Sequence, residues 1–382
     1  MKTQSTSRLQ KISWPFFAVA GTPAIVFYFL LFKSVGNYPI VDDYHAVLEF
    51  VNIYSQLDSI QSKIFHVLNF QHNEYKLVFE NIIFIAQHEF FGGINFAALS
   101  MLGNAFVLAL FVLILSTFKN STLSNSMRIA TALPVGFLIF QLQYASTLNF
   151  SMAGLQNIPV LVFSLLAIIL LAKNRRSSLI GACAATTLAV MASGSGFLLA
   201  VVGGLLLIEQ KRWKDTVLWG CLFVGLALFY FTNYNPHATQ ASPDGSVTES
   251  AKHLSIPYML AFMGSSIARY QGYLPSIAAG IVIFSIWVFA AKCGYSKKNP
   301  AVFYFVIFLV LTAAGVSAIR SNLGLEQSLA SRYRIYSNLL LVLSYIFLSE
   351  KYLIPGITSK AKIIATGLII ILSVGFFAFS NA

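Results

Sequence analysis

Charged residues are scarce in this chain of 382 residues: only 10% are Asp, Glu, Lys or Arg, whereas 57% are hydrophobic. A soluble domain of average composition carries about a quarter charged residues. The shortage excludes a soluble globular protein, and apolar runs of about 18 residues or more recur along the sequence, as in helices that cross a bilayer. We therefore predict one integral membrane domain over residues 1–382, an all-α, polytopic transmembrane helix bundle.

Cysteine is also rare. Cys183, Cys221 and Cys293 lie in or at the ends of apolar runs, at spacings that fit no metal site, and we predict no disulfide. Acidic residues are outnumbered, 13 against 25 Lys and Arg. In a soluble protein this excess would suggest nucleic acid, but here its distribution along the chain indicates membrane topology, and no nucleic-acid partner is expected.

About 11 apolar segments are predicted to span the membrane. They are approximately residues 14–32, 94–118, 128–146, 150–172, 178–192, 193–208, 216–233, 274–292, 300–318, 335–350 and 361–380. The pair 178–192 and 193–208 is short and has a Ser-Gly-Ser-Gly centre, so a re-entrant hairpin is the alternative there. A cleaved signal peptide is the alternative for the first run, although that run continues without a break past the small residues at 18–20.

The connecting segments divide by charge. With these spans, 17 Lys and Arg lie on the side of the N-terminus and eight on the other, whereas three acidic residues lie on the first side and ten on the second. The positive-inside rule then places the N-terminus in the cytoplasm and the C-terminus in the periplasm of a bacterial inner membrane. Three periplasmic loops follow: a large first loop, 33–93, and further loops at 234–257 and 319–335.

The first loop is predicted to contain membrane-surface helices. Its first half has apolar residues at helical spacing, which predicts an amphipathic helix in the membrane interface. These residues are Val47, Phe50, Val51, Tyr54, Leu57, Ile64 and Leu68. A second helical stretch, 77–91, carries a polar stripe of Glu80, Asn81, Gln87 and His88, which we expect to pack against the bundle or lie in the interface.

The predicted periplasmic side has acids in its first loop and arginines in its last. The stretch Pro39-Ile40-Val41-Asp42-Asp43-Tyr44-His45 offers two carboxylates that could take a proton from an acceptor hydroxyl. Arg332 and Arg334 could hold a departing phosphate, because a guanidinium matches phosphate oxygens better than an ammonium group does. Together these groups would suit glycosyl transfer from a lipid-linked donor.

We single out Asp42 and Asp43 as candidate catalytic residues. The candidate substrate-binding residues are polar side chains of the two loops: His45, His72, Glu74, Lys76, Arg320, Arg332, Tyr333 and Arg334. Structural roles remain open: the Asp pair could cap a helix, the arginines could anchor at the interface, and His72 and Glu74 could be hydrogen-bond partners. No cofactor is assigned. A divalent metal held by Asp43, His45 and His72 is possible, without a spacing signature.

The layout of the chain resembles the GT-C class of glycosyltransferases that depend on polyprenyl-phosphate sugars. An acidic pair begins the first outside loop, and surface helices and then many spans follow it. The stretch from His72 to Gly93 and the Ser331-Arg332-Tyr333 motif also resemble uncharacterised bacterial polytopic proteins of that layout. The resemblance implies a catalytic carboxylate at Asp42 or Asp43. It also implies a polyprenyl-phosphate-linked sugar donor and a glycan or lipid acceptor in the cell envelope.

Three other functions remain open from the sequence. A transporter or flippase for a polysaccharide precursor would place ionisable groups within its spans, and the spans after residue 93 have almost none. An O-antigen polymerase would concentrate arginines in large, later periplasmic loops, whereas the main polar loop comes first here. A non-catalytic partner in an envelope-building complex is the third.

Overall fold

The structure is a computed structural model that describes residues 14–120, 122–235, 254–268, 272–356 and 359–381. Helices make up most of these residues, as predicted. The α-helices are α1 (Trp14–Ser34), α2 (Phe50–Ser55), α3 (Ile60–Asn69), α4 (Val78–Phe91), α5 (Phe96–Thr117), α6 (Asn125–Ile139), α7 (Ala145–Leu148), α8 (Ser151–Ala172), α9 (Arg176–Ala192), α10 (Leu199–Glu209), α11 (Trp213–Phe231), α12 (Ile256–Met263), α13 (Tyr273–Lys292), α14 (Tyr295–Lys298), α15 (Pro300–Arg320), α16 (Ser331–Leu348) and α17 (Lys360–Asn381). One antiparallel hairpin joins β1 (Gln71–His72) to β2 (Tyr75–Lys76).

Seven helices in the described part of the chain are long and apolar enough to cross a membrane: α5, α8, α11, α13, α15, α16 and α17. Three shorter apolar stretches, Gly21–Ser34, Arg176–Ala192 and Gly194–Glu209, coincide with further predicted segments. The predicted segment 128–146 is interrupted, because α6 ends at Ile139 and a short turn precedes α7. The chain is thus a multi-pass helical membrane protein, with seven helices that meet the criteria for a span.

Contacts between helix termini define two ends of the bundle. At one end, which we call the Glu350 end, the Asn299 side chain donates to the Thr117 carbonyl at 3.0 Å and to the Glu350 carboxylate at 2.9 Å. The opposite end, which we call the Arg320 end, contains the contact between Arg320 and Glu74. Residues 236–253 of the predicted loop 234–257 lie outside the described residues. The first and last loops meet at the Arg320 end.

Close helix crossings hold the bundle together. A Cβ atom on Gly103 would lie 3.0 Å from the carbonyl carbon of Gly154, so α5 and α8 cross at a distance that favours glycine. Beside this crossing, the ring of Phe79 at the start of α4 packs edge-on against Phe106 and Phe163, at 6.1 and 5.3 Å between centroids. Since Phe106 and Phe163 lie in the middle parts of α5 and α8, α4 begins deep in the bundle.

The first loop has a small core of its own. Val47 and Phe50 are fully buried together with Leu77 and Phe84 at the start and middle of the next helical segment. The apolar face predicted to lie on the membrane therefore packs against protein over this half. In α3 the outcome is different, because Ile60, Ile64 and Phe65 are more than half exposed. This part of the loop leaves an apolar face uncovered, and so does the end of α4, where Phe90 and Phe91 are each 84% exposed.

Candidate functional site

Asp43 is fully buried and attaches the first loop to the bundle. Its Oδ1 accepts the N–H of Met152 at 2.9 Å, and its Oδ2 accepts the N–H of Ile40 at 3.1 Å. Met152 lies in the first turn of α8, where backbone N–H groups lack partners within the helix, so Asp43 caps α8 from a distant segment. Burial raises the pKa of Asp43 to about 6, against the effect of these donors.

Asp42 turns the other way. Its side chain is 43% exposed, and its Oδ1 lies 3.8 Å from Nε2 of His72, which is beyond hydrogen-bond length. Val41, immediately before it, has a φ of 45°, a left-handed conformation that β-branched residues rarely adopt. Backbone strain of this kind is often found beside functional groups. Of the two acids predicted to be catalytic, Asp42 is the one whose carboxylate faces outward.

His72 and His45 form part of a hydrogen-bond chain. Their Nδ1 atoms are 3.1 Å apart, Nε2 of His72 lies 3.0 Å from the Asn73 amide nitrogen, and Nε2 of His45 lies 3.2 Å from the Glu49 carboxylate. These contacts fit a neutral His72 that accepts from Asn73 and donates through Nδ1, with His45 donating in turn to Glu49. Burial lowers the pKa of His72, which favours this neutral form.

The structure does not assemble the hypothetical metal set of Asp43, His45 and His72. The two histidines meet, but the Asp43 carboxylate is directed to backbone N–H groups instead. Among the residues that the structure describes, no group of three or more His, Cys, Asp or Glu side chains is arranged to hold a metal ion.

Glu74 and Arg320 join the first loop to the last. The Arg320 Nη2 atom lies 2.7 Å from Oε1 of Glu74 and donates also to the Tyr75 hydroxyl at 3.3 Å, although Glu74 and Arg320 are 246 positions apart. The two side chains are only 26% and 22% exposed, respectively. His72 lies within electrostatic range of Glu74 as well as Asp42. An acid of the first loop and an arginine of the last therefore meet, through Glu74 and not through the Asp pair.

Tyr75 and Tyr333 connect this ion pair to the start of α16. Both lie within electrostatic range of Arg320, and Tyr333 is buried with its ring centroid 4.9 Å from that of Phe262. The guanidinium of Arg332 lies 5.2 Å from the ring centroid of Tyr333, a cation–π distance. The Nε of Arg332 is buried and has no hydrogen-bond partner among the described residues. Such a donor is a candidate for ligand binding.

Arg334 has a different environment. Its guanidinium donates to three backbone carbonyls, those of Leu329 at 3.2 Å, Gln143 at 3.4 Å and Ala268 at 3.4 Å. These carbonyls belong to three separate connecting segments. Arg334 therefore ties the connections at the Arg320 end together, and the structure gives it these contacts in place of one with Glu74.

Lys76 is also engaged by the fold. It is 1% exposed, and its ammonium group donates to the Thr232 carbonyl and to Oδ1 of Asn69. Its backbone N–H donates to the Tyr230 hydroxyl at 3.2 Å. Burial lowers the pKa of Lys76. The residue fixes the hairpin between α3 and the end of α11.

Glu80 was predicted only as part of a polar stripe, and the structure gives it a more unusual position. Its side chain is fully buried, and neither carboxylate oxygen has a hydrogen-bond partner among the described residues. Tyr230 lies within electrostatic range. The other members of the stripe are satisfied at least in part: the Asn81 amide donates to the Val67 carbonyl at 3.1 Å, and Gln87 bonds the Asn95 backbone.

Sequence reasoning missed the tyrosines of the site. Tyr75 accepts from Arg320, Tyr230 accepts from the Lys76 backbone, and the Tyr234 hydroxyl donates to the Glu74 carbonyl at 3.1 Å. Tyr75 could have been found, because it adjoins two predicted site residues. Tyr230 and Tyr234 had no such signal, since aromatic residues at the end of an apolar span are typical of the membrane interface.

Comparison with known protein families, with characterised proteins and with solved structures finds no match to this chain.

Proposed function

We propose that the protein is a membrane glycosyltransferase that moves a sugar from a polyprenyl-phosphate donor to a cell-envelope or lipid-linked acceptor on the periplasmic face. The observation that carries the proposal is the contact of Glu74 with Arg320, beside Asp42 and His72 on one side and Arg332 on the other. Acids that could accept a proton and guanidinium groups that could stabilise phosphate thus belong to one end of the bundle.

Asp42 is the proposed general base. It would take the proton of the acceptor hydroxyl as the new bond forms between that oxygen and the anomeric carbon of the sugar. Its exposed carboxylate makes this role possible, whereas both oxygens of Asp43 accept backbone N–H groups. His72, neutral and close to Asp42, would help to orient the acceptor. Asp43 then acts by positioning the loop.

Arg320 and Arg332 are the proposed phosphate-binding groups. As the bond from the anomeric carbon to the phosphate oxygen breaks, negative charge develops on the departing polyprenyl phosphate, and fixed guanidinium groups stabilise it. Arg332 has a buried Nε without a described partner. Arg320 is held in place by Glu74 and Tyr75. A layout of about 11 spans, GT-C-like, with the Arg320 end in the periplasm of a bacterial inner membrane, belongs to the same proposal.

The test is transfer of labelled sugar from a polyprenyl-phosphate donor by protein reconstituted in liposomes. Asp42→Asn should lower the transfer rate at least about 100-fold, the usual size of a general-base contribution. Asp58→Asn is the matched control, because Asp58 is an exposed acid of the same loop, and its rate should equal that of the wild type. An Asp42→Asn protein that transfers sugar at the wild-type rate would refute the proposed base.

A second candidate function is transport of a polysaccharide precursor, and Glu80 favours it. Glu80 is buried and follows Phe79, whose ring packs against the middle of two candidate spans, and buried ionisable groups of this kind are used by coupled transporters. The two functions separate in one pair of assays. Transport predicts that Glu80→Gln abolishes flux of the precursor into liposomes, while glycosyl transfer predicts that the same variant retains sugar transfer and that the wild type gives no flux.

A further inference from the structure

A long apolar groove lies on the side of the bundle, between α6, α13, α16 and α17. Its volume is about 740 Å³, within the range of about 300–1,000 Å³ that is usual for ligand pockets. Its walls include Pro134, Ile286, Leu341, Ile369 and Phe376. Three of these helices, α13, α16 and α17, are candidate membrane spans, so the groove lies in the membrane-spanning part of the bundle.

Three of the hydroxyl groups that line the groove are already used by the protein. The Ser344 hydroxyl donates to the Leu340 carbonyl at 2.7 Å and accepts from the Trp287 indole at 2.9 Å. The hydroxyls of Ser373 and Tyr345 donate to backbone carbonyls of Ile370 and Thr131. With these groups satisfied, the groove offers an occupant mainly apolar contacts.

One end of the groove is positively charged. Lys362 lines it, and its ammonium group donates to the Tyr352 carbonyl. An ammonium group has three N–H donors, so this contact does not exhaust its capacity. Lys360 is exposed two residues before Lys362, and Lys351 is the residue directly before Tyr352. A groove with an apolar body and a basic end complements a molecule with an anionic head and hydrocarbon chains.

We propose that this groove binds the acyl chains of one anionic glycerophospholipid, whose phosphate lies against Lys362. The site is separate from the proposed donor site. Lys362 contacts Tyr352, beyond the end of α16, whereas Arg332 is near its start, and the 18 residues of α16 span roughly 27 Å. A phosphate held by Arg332 therefore cannot be the phosphate held by Lys362.

Native mass spectrometry of the full-length protein, reconstituted with equal amounts of phosphatidylglycerol and phosphatidylcholine, tests this inference. The wild type should retain one phosphatidylglycerol in preference to phosphatidylcholine. Lys362→Gln should weaken that retention about fivefold, the effect of one lysine near a membrane surface. Lys214→Gln, which removes an exposed lysine from α11, should leave it unchanged.

Steric variants test the groove itself. Ala365→Trp should fill it and abolish retention, and Ile369→Trp should do the same one turn further along, so a folding failure in either variant leaves the other informative. Leu368→Trp is the control, since Leu368 is 56% exposed on α17 and does not line the groove. Equal retention of both lipids by the wild type would overturn the inference. So would retention that survives both groove variants, preferential retention of added polyprenyl phosphate, or a second copy of the chain in the groove.

Discussion

A buried glutamate at one end of the bundle is fully paired, whereas two buried groups toward the other end have no partner among the described residues. At the Glu350 end, the Glu350 carboxylate is 3% exposed and accepts the Lys119 N–H, the Tyr295 hydroxyl and the Asn299 amide, each at 2.9 Å. Lys298 adds a bond to the Glu350 carbonyl at 3.1 Å. Toward the Arg320 end, the carboxylate of Glu80 and the Nε of Arg332 are buried without a partner in the described chain.

This difference distinguishes a buried group that stabilises the fold from buried groups that could bind a ligand. A saturated network of buried hydrogen bonds fixes one arrangement of the helices, and it leaves little capacity for a ligand. Buried groups that lack partners cost free energy, and a fold retains them where they bind something or carry out chemistry. The contrast fits a structural role for Glu350 and supports the proposed binding role of the Arg320 end.

The largest effect is expected from breaking the saturated network. Glu350→Ala removes the acceptor of three buried donors and should lower the free energy of unfolding by about 4 kcal/mol. Chemical unfolding of the purified protein in detergent measures this. Glu350→Gln keeps one carbonyl acceptor and should cost less than Glu350→Ala. Equal stability of Glu350→Ala and the wild type would remove the structural role.

Asp43 should make stability depend on pH. Its pKa is about 6 in the folded protein, above the value of about 3.9 expected in an unfolded chain. Between these values the folded state binds more protons, so the free energy of unfolding should fall as pH rises from about 4 to 6, by up to about 3 kcal/mol. Comparison of the unfolding of wild type and Asp43→Asn across this range isolates the effect. A slope that is unchanged in Asp43→Asn would contradict it.

The ion pair of Glu74 and Arg320 should contribute less to the free energy of unfolding. Because both side chains are partly exposed, solvent screens their attraction, and a double-mutant cycle with Glu74→Gln and Arg320→Gln should give a coupling of about 1 kcal/mol. Sugar transfer should respond far more strongly to Arg320→Gln than stability does. Parallel losses of stability and transfer in that variant would mean that Arg320 acts only on the fold.

The smallest change in stability is expected for Glu80→Gln. A neutral amide replaces a carboxyl group that has no described partner, so the free energy of unfolding should stay within about 1 kcal/mol of the wild type. The same unfolding experiment in detergent as for Glu350 gives a direct comparison of two buried glutamates. A loss of several kcal/mol in Glu80→Gln would show that Glu80 is as fully paired as Glu350.

The helices could be predicted from the sequence to a much greater extent than the site. An apolar run must be helical in lipid because every backbone polar group needs an internal partner. That constraint does not determine whether a side chain contacts lipid or protein. The apolar pattern of Val47 and Phe50 is the same whether their helical face contacts lipid or protein, and here it contacts Leu77 and Phe84.

The roles of the two adjacent acids illustrate why the site could not be predicted in full. Asp42 and Asp43 are neighbours of identical chemistry, yet one is exposed and the other fully buried. The partner that decides the matter, Met152, is 109 positions away at the start of α8. Adjacency in sequence could identify the acidic pair, but only the tertiary arrangement shows that Asp43 is bound by the fold and that the Asp42 carboxylate is exposed.

Hydrogen–deuterium exchange with a bound polyprenyl-phosphate sugar tests the contrast between the two ends most directly. We predict that the donor slows amide exchange in the hairpin at 71–76 and in the segment 320–334, and leaves the segments around Lys119 and Asn299 unchanged. Protection confined to the Glu350 end, or a bound donor that protects neither 71–76 nor 320–334, would contradict the assignment of the binding site.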